Sequence, residues 1–255
     1  MIPLKDYNPT RRFPLITLVL IAVNVGVFFF VQRPFDATTD QARFSYEVAA
    51  IPCEVVEGRP LTQEEVVRTL RLGDTTACER GTPTTDEVFA QKSVWLALVY
   101  SMFLHGDLWH LAGNMLFLWI FGNNIEDRMG IGGYLGFYLL AGLAASAAHI
   151  GVQPDSTIPV VGASGAIAGV MGAYLVLFPN VQILSLIFFI IRDISAKWLL
   201  GAWFVLQFFT SADAGVAWVA HVGGFAFGAL VALFLRNRLR PPRVPRFEPA
   251  PGPTW

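Results

Sequence analysis

Residues 13–31, FPLITLVLIAVNVGVFFFV, run for nineteen positions without an Asp, Glu, Lys or Arg. A helix needs about 20 apolar residues to cross a bilayer, and only helices and closed barrels satisfy their backbone polar groups inside one. Four later segments read the same way: Leu108–Ile125, Gly133–Ile150, Val160–Phe178 and Gly215–Leu235. Composition agrees, with 54% hydrophobic and 15% charged residues, against about 25% charged in soluble domains, and a mean hydropathy of +0.52. The apolar residues come in runs and not in alternation, so the chain reads as an all-α polytopic membrane protein whose first partner is the lipid bilayer. A net charge of −1 offers no basic surface to nucleic acid.

One stretch is harder to read. Val181–Ile191 is apolar but only 11 residues long, and Arg192, Asp193 and Lys197 follow. A single span over 181–209 would place Arg192 and Asp193 near its middle, at a cost of roughly 2.5–3.5 kcal/mol each. The stretch therefore divides. Residues 181–191 lie at the interface or dip in and return, and about Ile194–Thr210 crosses, which makes six spans. Basic residues set the orientation. Lys5, Arg11 and Arg12 precede the first span, Arg236, Arg238, Arg240, Arg243 and Arg246 follow the last, and Arg128, Arg192 and Lys197 fall on the same side. By the positive-inside rule that side, with both termini, is cytoplasmic.

The chain then divides into a polar leader (1–12), a first span (13–33), an acidic extracytoplasmic segment (34–93), a core with the other five spans (94–236) and a Pro/Arg-rich cytoplasmic tail (237–255), of which 241–255 is expected to be disordered. In the acidic segment, Thr62-x-x-Glu65 and Thr84-x-x-Glu87 have the capping-box spacing and predict helix starts. Cys53 and Cys78 both fall there, and an oxidising compartment permits a disulfide. One pair at one spacing leaves pairing and two free thiols both open.

Depth can be counted along each span. Spans two, four and six enter from the outer face, and they carry His110 and Asn114, Ser164, and His221 near that end. Four polar side chains on three helices thus share one depth below the outer surface, and polar groups inside a membrane face the bundle interior and mark function. The chemistry available is nucleophilic. Ser164 needs a base within hydrogen-bond reach, and His221 is the best-placed histidine. No Asp or Glu stands at that depth in spans four or six, so the expectation is a dyad. His110 and Asn114, four apart on one helix face, aim two donors at one point, as an oxyanion requires, and the Ser164 N–H at its helix start adds a third.

Gly162 and Gly165 let the chain turn and a substrate backbone approach. Gly224 and Gly228 continue a seam from His221 that lets span six pack closely on span four and brings His221 to Ser164. The deeper Gly228 is expected to matter less at the site. His105 and His149 read as structural or interfacial. No metal site is expected, because nothing has ligand spacing such as H-E-x-x-H. The bland alternatives are that Ser164 only packs, that His110 and Asn114 join helices, and that His221 is a buried, satisfied histidine. The shared depth of all four favours the nucleophilic reading.

HLAGN (110–114), GASGAIAG (162–169) and AHVGGFAFG (220–228) together resemble the rhomboid family of intramembrane serine proteases. SMFLHG (101–106) and NNIEDRMG (123–130), with Glu126 and Arg128, resemble that family's stretches leading into and ending its second span. The resemblance covers about 94–236 closely and the leader through span one more loosely. It implies a six-helix bundle, no cofactor, Ser164 as nucleophile, His221 as general base, and His110 and Asn114 as oxyanion donors. It implies hydrolysis of transmembrane-protein substrates in or near their spans, in a bacterial-type cell membrane with the site opening outward. In one departure, Ala168 stands where some members have a Tyr that stacks on the histidine, so the dyad's orientation depends more on span packing. Gating is expected of span five and the outer loops. Two rival readings are a catalytically silent rhomboid-like protein that binds membrane clients, and a small transporter, which would want polar groups near the midplane on broken helices.

Overall fold

The computed structural model describes residues 1–36, 40–81, 86–209 and 217–239. It is mostly helical, and three helices are long and apolar enough to cross a membrane: Leu15–Gln32, Leu108–Val152 and Trp218–Leu239. The chain is an integral membrane protein. The elements are β1 (Ile2–Asp6), α1 (Leu15–Gly26, continued by a π-helical turn Val27–Gln32), α2 (Gln41–Val48), α3 (Pro52–Glu57), α4 (Gln63–Leu72), α5 (Val94–Tyr100), α6 (Leu108–Val152), α7 (Ser164–Leu177), β2 (Gln182–Ile187), β3 (Ile190–Ser195), α8 (Ala196–Gln207) and α9 (Trp218–Leu239).

The two apolar runs 108–125 and 133–150 form α6, which breaks at Gly130 (φ 72°, ψ 173°). That left-handed backbone is open to glycine at little cost. Its two halves fold back on each other: Gly122 of the first faces the Tyr134 hydroxyl of the second, and both His110 and Ala145 lie beside the Gly162–Gly165 segment. Glu126, just before the break, accepts hydrogen bonds from the Ile16 and Thr17 N–H groups (2.8 Å each) and from the Thr17 hydroxyl (2.7 Å). Its carboxylate satisfies donors that the start of α1 would otherwise leave orphaned.

The chain is not all-α. Residues 181–191, expected at the interface or dipping in and returning, are strand and turn and not helix. They form the first arm and turn of a β2–β3 hairpin, and β1 pairs with β2 to complete an antiparallel sheet of order β1-β2-β3. Two Ile-rich arms of six residues are too short for a stable helix, and strand pairing satisfies their backbone groups instead. The leader is likewise held. Asp6 at the end of β1 accepts from Asn124 Nδ2 (2.6 Å) and the Tyr174 hydroxyl (2.9 Å). The crossing stretch read as Ile194–Thr210 is helical only over α8, and α7 starts at Ser164 rather than Val160.

The segment between α1 and α5 forms a small module on its own core of Tyr46, Ile51, Cys53 and Leu61. Thr62 and Glu65 make the expected capping box at the start of α4. No helix follows the second pattern: Glu87 forms an isolated β-bridge with Thr62, and Thr84 lies outside the described residues. Cys53 and Cys78 are joined in a disulfide. The helix α9 runs on to Leu239, three residues beyond the expected core boundary, and the rest of the tail, 240–255, lies outside the described residues.

Candidate active site

Three helices converge at one end of the bundle. Ser164 is the first residue of α7, with Ala163 as its N-cap, so its side chain stands where the chain enters the helix. Gly162, two residues earlier, has φ +132°, a backbone that residues with a Cβ rarely adopt. A Cβ there would also press on the His110 ring at 3.0 Å. The α7 and α9 backbones meet along glycines. Gly224 abuts the Gly165 carbonyl, Gly228 abuts the Gly169 carbonyl, and Ala141 and Ala145 of α6 close the third side against Gly169 and Gly165.

This packing puts His221 Nε2 2.8 Å from Ser164 Oγ. Both residues are half-buried. The sequence reading expected a base from another span, and the tertiary structure brings that residue into hydrogen-bond contact. His110 lies across Gly162, its Nδ1 accepting a long bond (3.4 Å) from the Gly106 N–H. Asn114, one turn further along α6, is buried, and its Nδ2 has no hydrogen-bond partner. Buried donors are nearly always paired, so this open amide is a group in want of an acceptor. A cavity opens next to Ser164, bounded by Ser101, Gly142, Ser146, Val161 and Ala217.

The other two histidines stand near the group. His105 is buried edge-on to the His110 ring at 5.2 Å, and His149 is buried in the last turn of α6. One grouping of metal-type donors occurs among the described residues, Cys53, Glu65 and Cys78. Both sulfurs are consumed by the disulfide.

Two contacts escaped the sequence reading, and both come from α8. Gln207 Oε1 lies 2.7 Å from His221 Nδ1, and the Trp203 ring packs on the imidazole with centroids 5.7 Å apart. Only a carboxylate on the expected spans four and six was weighed as a third partner, and Gln207 is an amide on α8. A signal was present: Gln207 is the one uncharged amide in the apolar run 196–209.

The module between α1 and α5 reaches this site through backbone and hydroxyl bonds. Ala50 pairs with Val160, accepting from its N–H at 2.8 Å. The Ala50 N–H donates to Ser101 Oγ (2.7 Å), and the Ser101 carbonyl accepts from the Gly162 N–H (2.9 Å). Cys53 N–H donates to the Ser156 carbonyl (3.0 Å), and the Thr69 and Thr157 hydroxyls share a bond of 2.7 Å. The loop 153–162, which delivers the chain to Ser164, is thus held from outside as well as from within the bundle.

A Rhomboid domain family model matches residues 92–238. The chain is 28% identical over 165 residues to Rhomboid protein 1, mitochondrial, of Saccharomyces cerevisiae, covering 61% of this chain and 46% of that protein. It is 42% identical over 81 residues to Rhomboid protease GluP of Bacillus subtilis, covering 32% of this chain and 15% of that one. It is 31% identical over 146 residues to the human Presenilin-associated rhomboid-like protein, mitochondrial, covering 54% and 38%. The chain thus spans less than half the length of these curated relatives.

Proposed function

The chain belongs to the rhomboid family, and from that premise we propose that it is an intramembrane serine endopeptidase that cuts other membrane proteins in or near their transmembrane segments. The observation that carries this reading is the 2.8 Å contact between Ser164 Oγ and His221 Nε2. The bundle crosses the bilayer six times, α6 counting twice, with both termini cytoplasmic and the Ser164 end facing out. The disulfide on the Ser164 side supports that orientation, because disulfides persist in oxidising compartments. The membrane is the cell membrane of a bacterial-type cell.

The Ser164 hydroxyl passes its proton to His221 Nε2 as Oγ attacks the scissile carbonyl carbon. The carbonyl electron pair moves onto oxygen, and Asn114 Nδ2–H, His110 and the Ser164 N–H hold the resulting oxyanion. Collapse expels the amine, which takes the proton from the imidazolium and leaves an acyl-enzyme. Water, activated by the same histidine, then releases the acid and restores Ser164. The cavity beside Ser164, with Ser101 and Ser146 in its wall, is the path for that water. A helical amide is hydrogen-bonded and shielded, so the substrate helix must open locally, and Gly, Pro or Ser near the cut lowers the cost.

The test is co-expression with a panel of single-span membrane proteins, read by N-terminal sequencing of fragments. Wild type is expected to release fragments. Ser164→Ala and His221→Ala should each abolish release, and the double variant should lose no more than either single one, because the pair acts as a unit. Cleavage surviving in Ser164→Ala overturns the assignment.

A further inference from the structure

We propose that Gln207 is a positioning residue for His221: its side-chain oxygen holds the imidazole in the tautomer that leaves Nε2 free to take the proton of Ser164. The proposal rests on the protease reading above and adds to the dyad a third member, carried by α8.

The atoms assign the tautomer. Gln207 Nε2 donates to the Trp203 carbonyl at 3.1 Å. Only the NH₂ end of an amide satisfies a carbonyl, since a flipped side chain would set two oxygens face to face. The other end, Oε1, therefore points at His221 Nδ1 across 2.7 Å and can only accept. A proton must then sit on Nδ1, and the lone pair on Nε2 faces the Ser164 hydroxyl at 2.8 Å. This is the task that a buried carboxylate performs in a serine triad, orienting the ring and choosing its tautomer. Here a neutral amide does it, and no charge has to be taken out of water.

The base is held from one helix: α8 packs the Trp203 ring on the imidazole and supplies the Gln207 acceptor one turn further on. Both orienting groups belong to a helix of 12 residues at the rim of the bundle, whose Trp198, Val205 and Leu206 are exposed. The base is set only while α8 is docked. Moving α8 outward removes the acceptor and the ring together, so the geometry couples the seating of this helix to the readiness of the dyad.

The experiment compares Gln207→Met with Gln207→Glu in the full-length chain. Each is measured for cleavage kinetics of a substrate from the panel, for fluorophosphonate labelling at Ser164, and for thermal stability in detergent, with rates scaled to folded protein. Met fills the space without a strong acceptor, and Glu keeps an oxygen toward Nδ1–H. The Met variant should lose kcat by roughly 10–10²-fold with KM little changed, on the scale at which misplacing a reacting group by about 1 Å costs 10²-fold. The Glu variant should retain several times more kcat and label faster than Met. A residue that only packs predicts the reverse order, because Met suits an apolar setting better than a carboxyl group. Wild-type kcat in Gln207→Met, or Met equal to or better than Glu, overturns the proposal. Wild type that takes no label at Ser164 overturns the protease reading itself, a result separate from either of these.

Discussion

Gly224 and Gly165 touch backbone to backbone: a Cβ built on Gly224 would overlap the Gly165 carbonyl oxygen and stand 3.0 Å from its carbon. Gly165 follows Ser164, and Gly224 lies one turn from His221, so this contact sets the distance between the two helices at the site. Gly224→Val must push α9 away from α7. Cleavage and labelling at Ser164 should fall on the order of 10²-fold, the cost of about 1 Å of misplacement. Gly228→Val was expected from sequence to be milder. The structure gives no ground for that, because a Cβ on Gly228 would overlap the Gly169 carbonyl oxygen and approach its carbon at 2.5 Å. Both variants should be disabled, with melting lowered in each. A folded Gly224→Val that cleaves at the wild-type rate would show that the seam does not hold the pair together.

Asn114 offers a separation of catalysis from stability. Its Nδ2 is buried without a partner, so Asn114→Ala removes no hydrogen bond from the resting protein. The loss should appear only when an oxyanion forms. The expected drop in kcat is about 10²–10³-fold, less if His110 compensates, with KM and the melting temperature nearly unchanged. An unchanged kcat would leave Asn114 without a role in the reaction.

The disulfide acts on the loop that precedes the nucleophile. Cys53 binds the Ser156 carbonyl through its N–H, and the bridge to Cys78 spans 25 residues. In the chain-entropy account a loop of that size contributes about 3–4 kcal/mol. Replacing both cysteines by Ser, or reducing the wild type, should loosen the module from residues 153–162 and slow labelling of Ser164 several-fold. The double-Ser variant should no longer respond to reductant. Labelling of fully reduced wild type at its oxidised rate would disprove the coupling.

Glu65 gives the module an acid limit. Its carboxylate accepts from Arg59 Nη1 and Nη2 at 2.9 and 3.0 Å, from the Thr62 N–H at 2.7 Å and from the Glu79 N–H at 2.8 Å. Burial alone would raise its pKa, but these bonds outweigh burial and hold it below the ordinary carboxylate value. A folded pKa below the unfolded one means stability that is present above the unfolded value, about 4.3, and is lost as pH falls through the folded one. The contribution of Glu65, read as the difference in thermal melts between wild type and Glu65→Gln, should be flat from neutral pH to about pH 5 and decline below it. Glu65→Gln should be less stable at pH 7, by on the order of 3 kcal/mol, and show a shallower acid decline. A variant with the wild-type decline would assign it to other carboxylates.

The long apolar runs of α1, α6 and α9, the pairing of Ser164 with His221, and the glycine faces that bring α7 and α9 together were legible in the sequence. Position along a membrane helix is a matter of counting at 1.5 Å per residue, and the apolar runs mark where the count begins. The same counting could not foresee what depends on contact between elements distant in the chain. The pairing of Cys53 with Cys78 needed the module's fold, since two thiols at one spacing fit either state. The β2–β3 hairpin needed β1, a strand more than 170 residues earlier that makes a third arm of the sheet. Gln207 lay in view as a polar residue in an apolar run, yet its role turns on which way α8 faces. Depth is one coordinate and the sequence carries it. The angle of a helix about its own axis, and so which side chain meets His221, is decided only by how the surrounding helices pack.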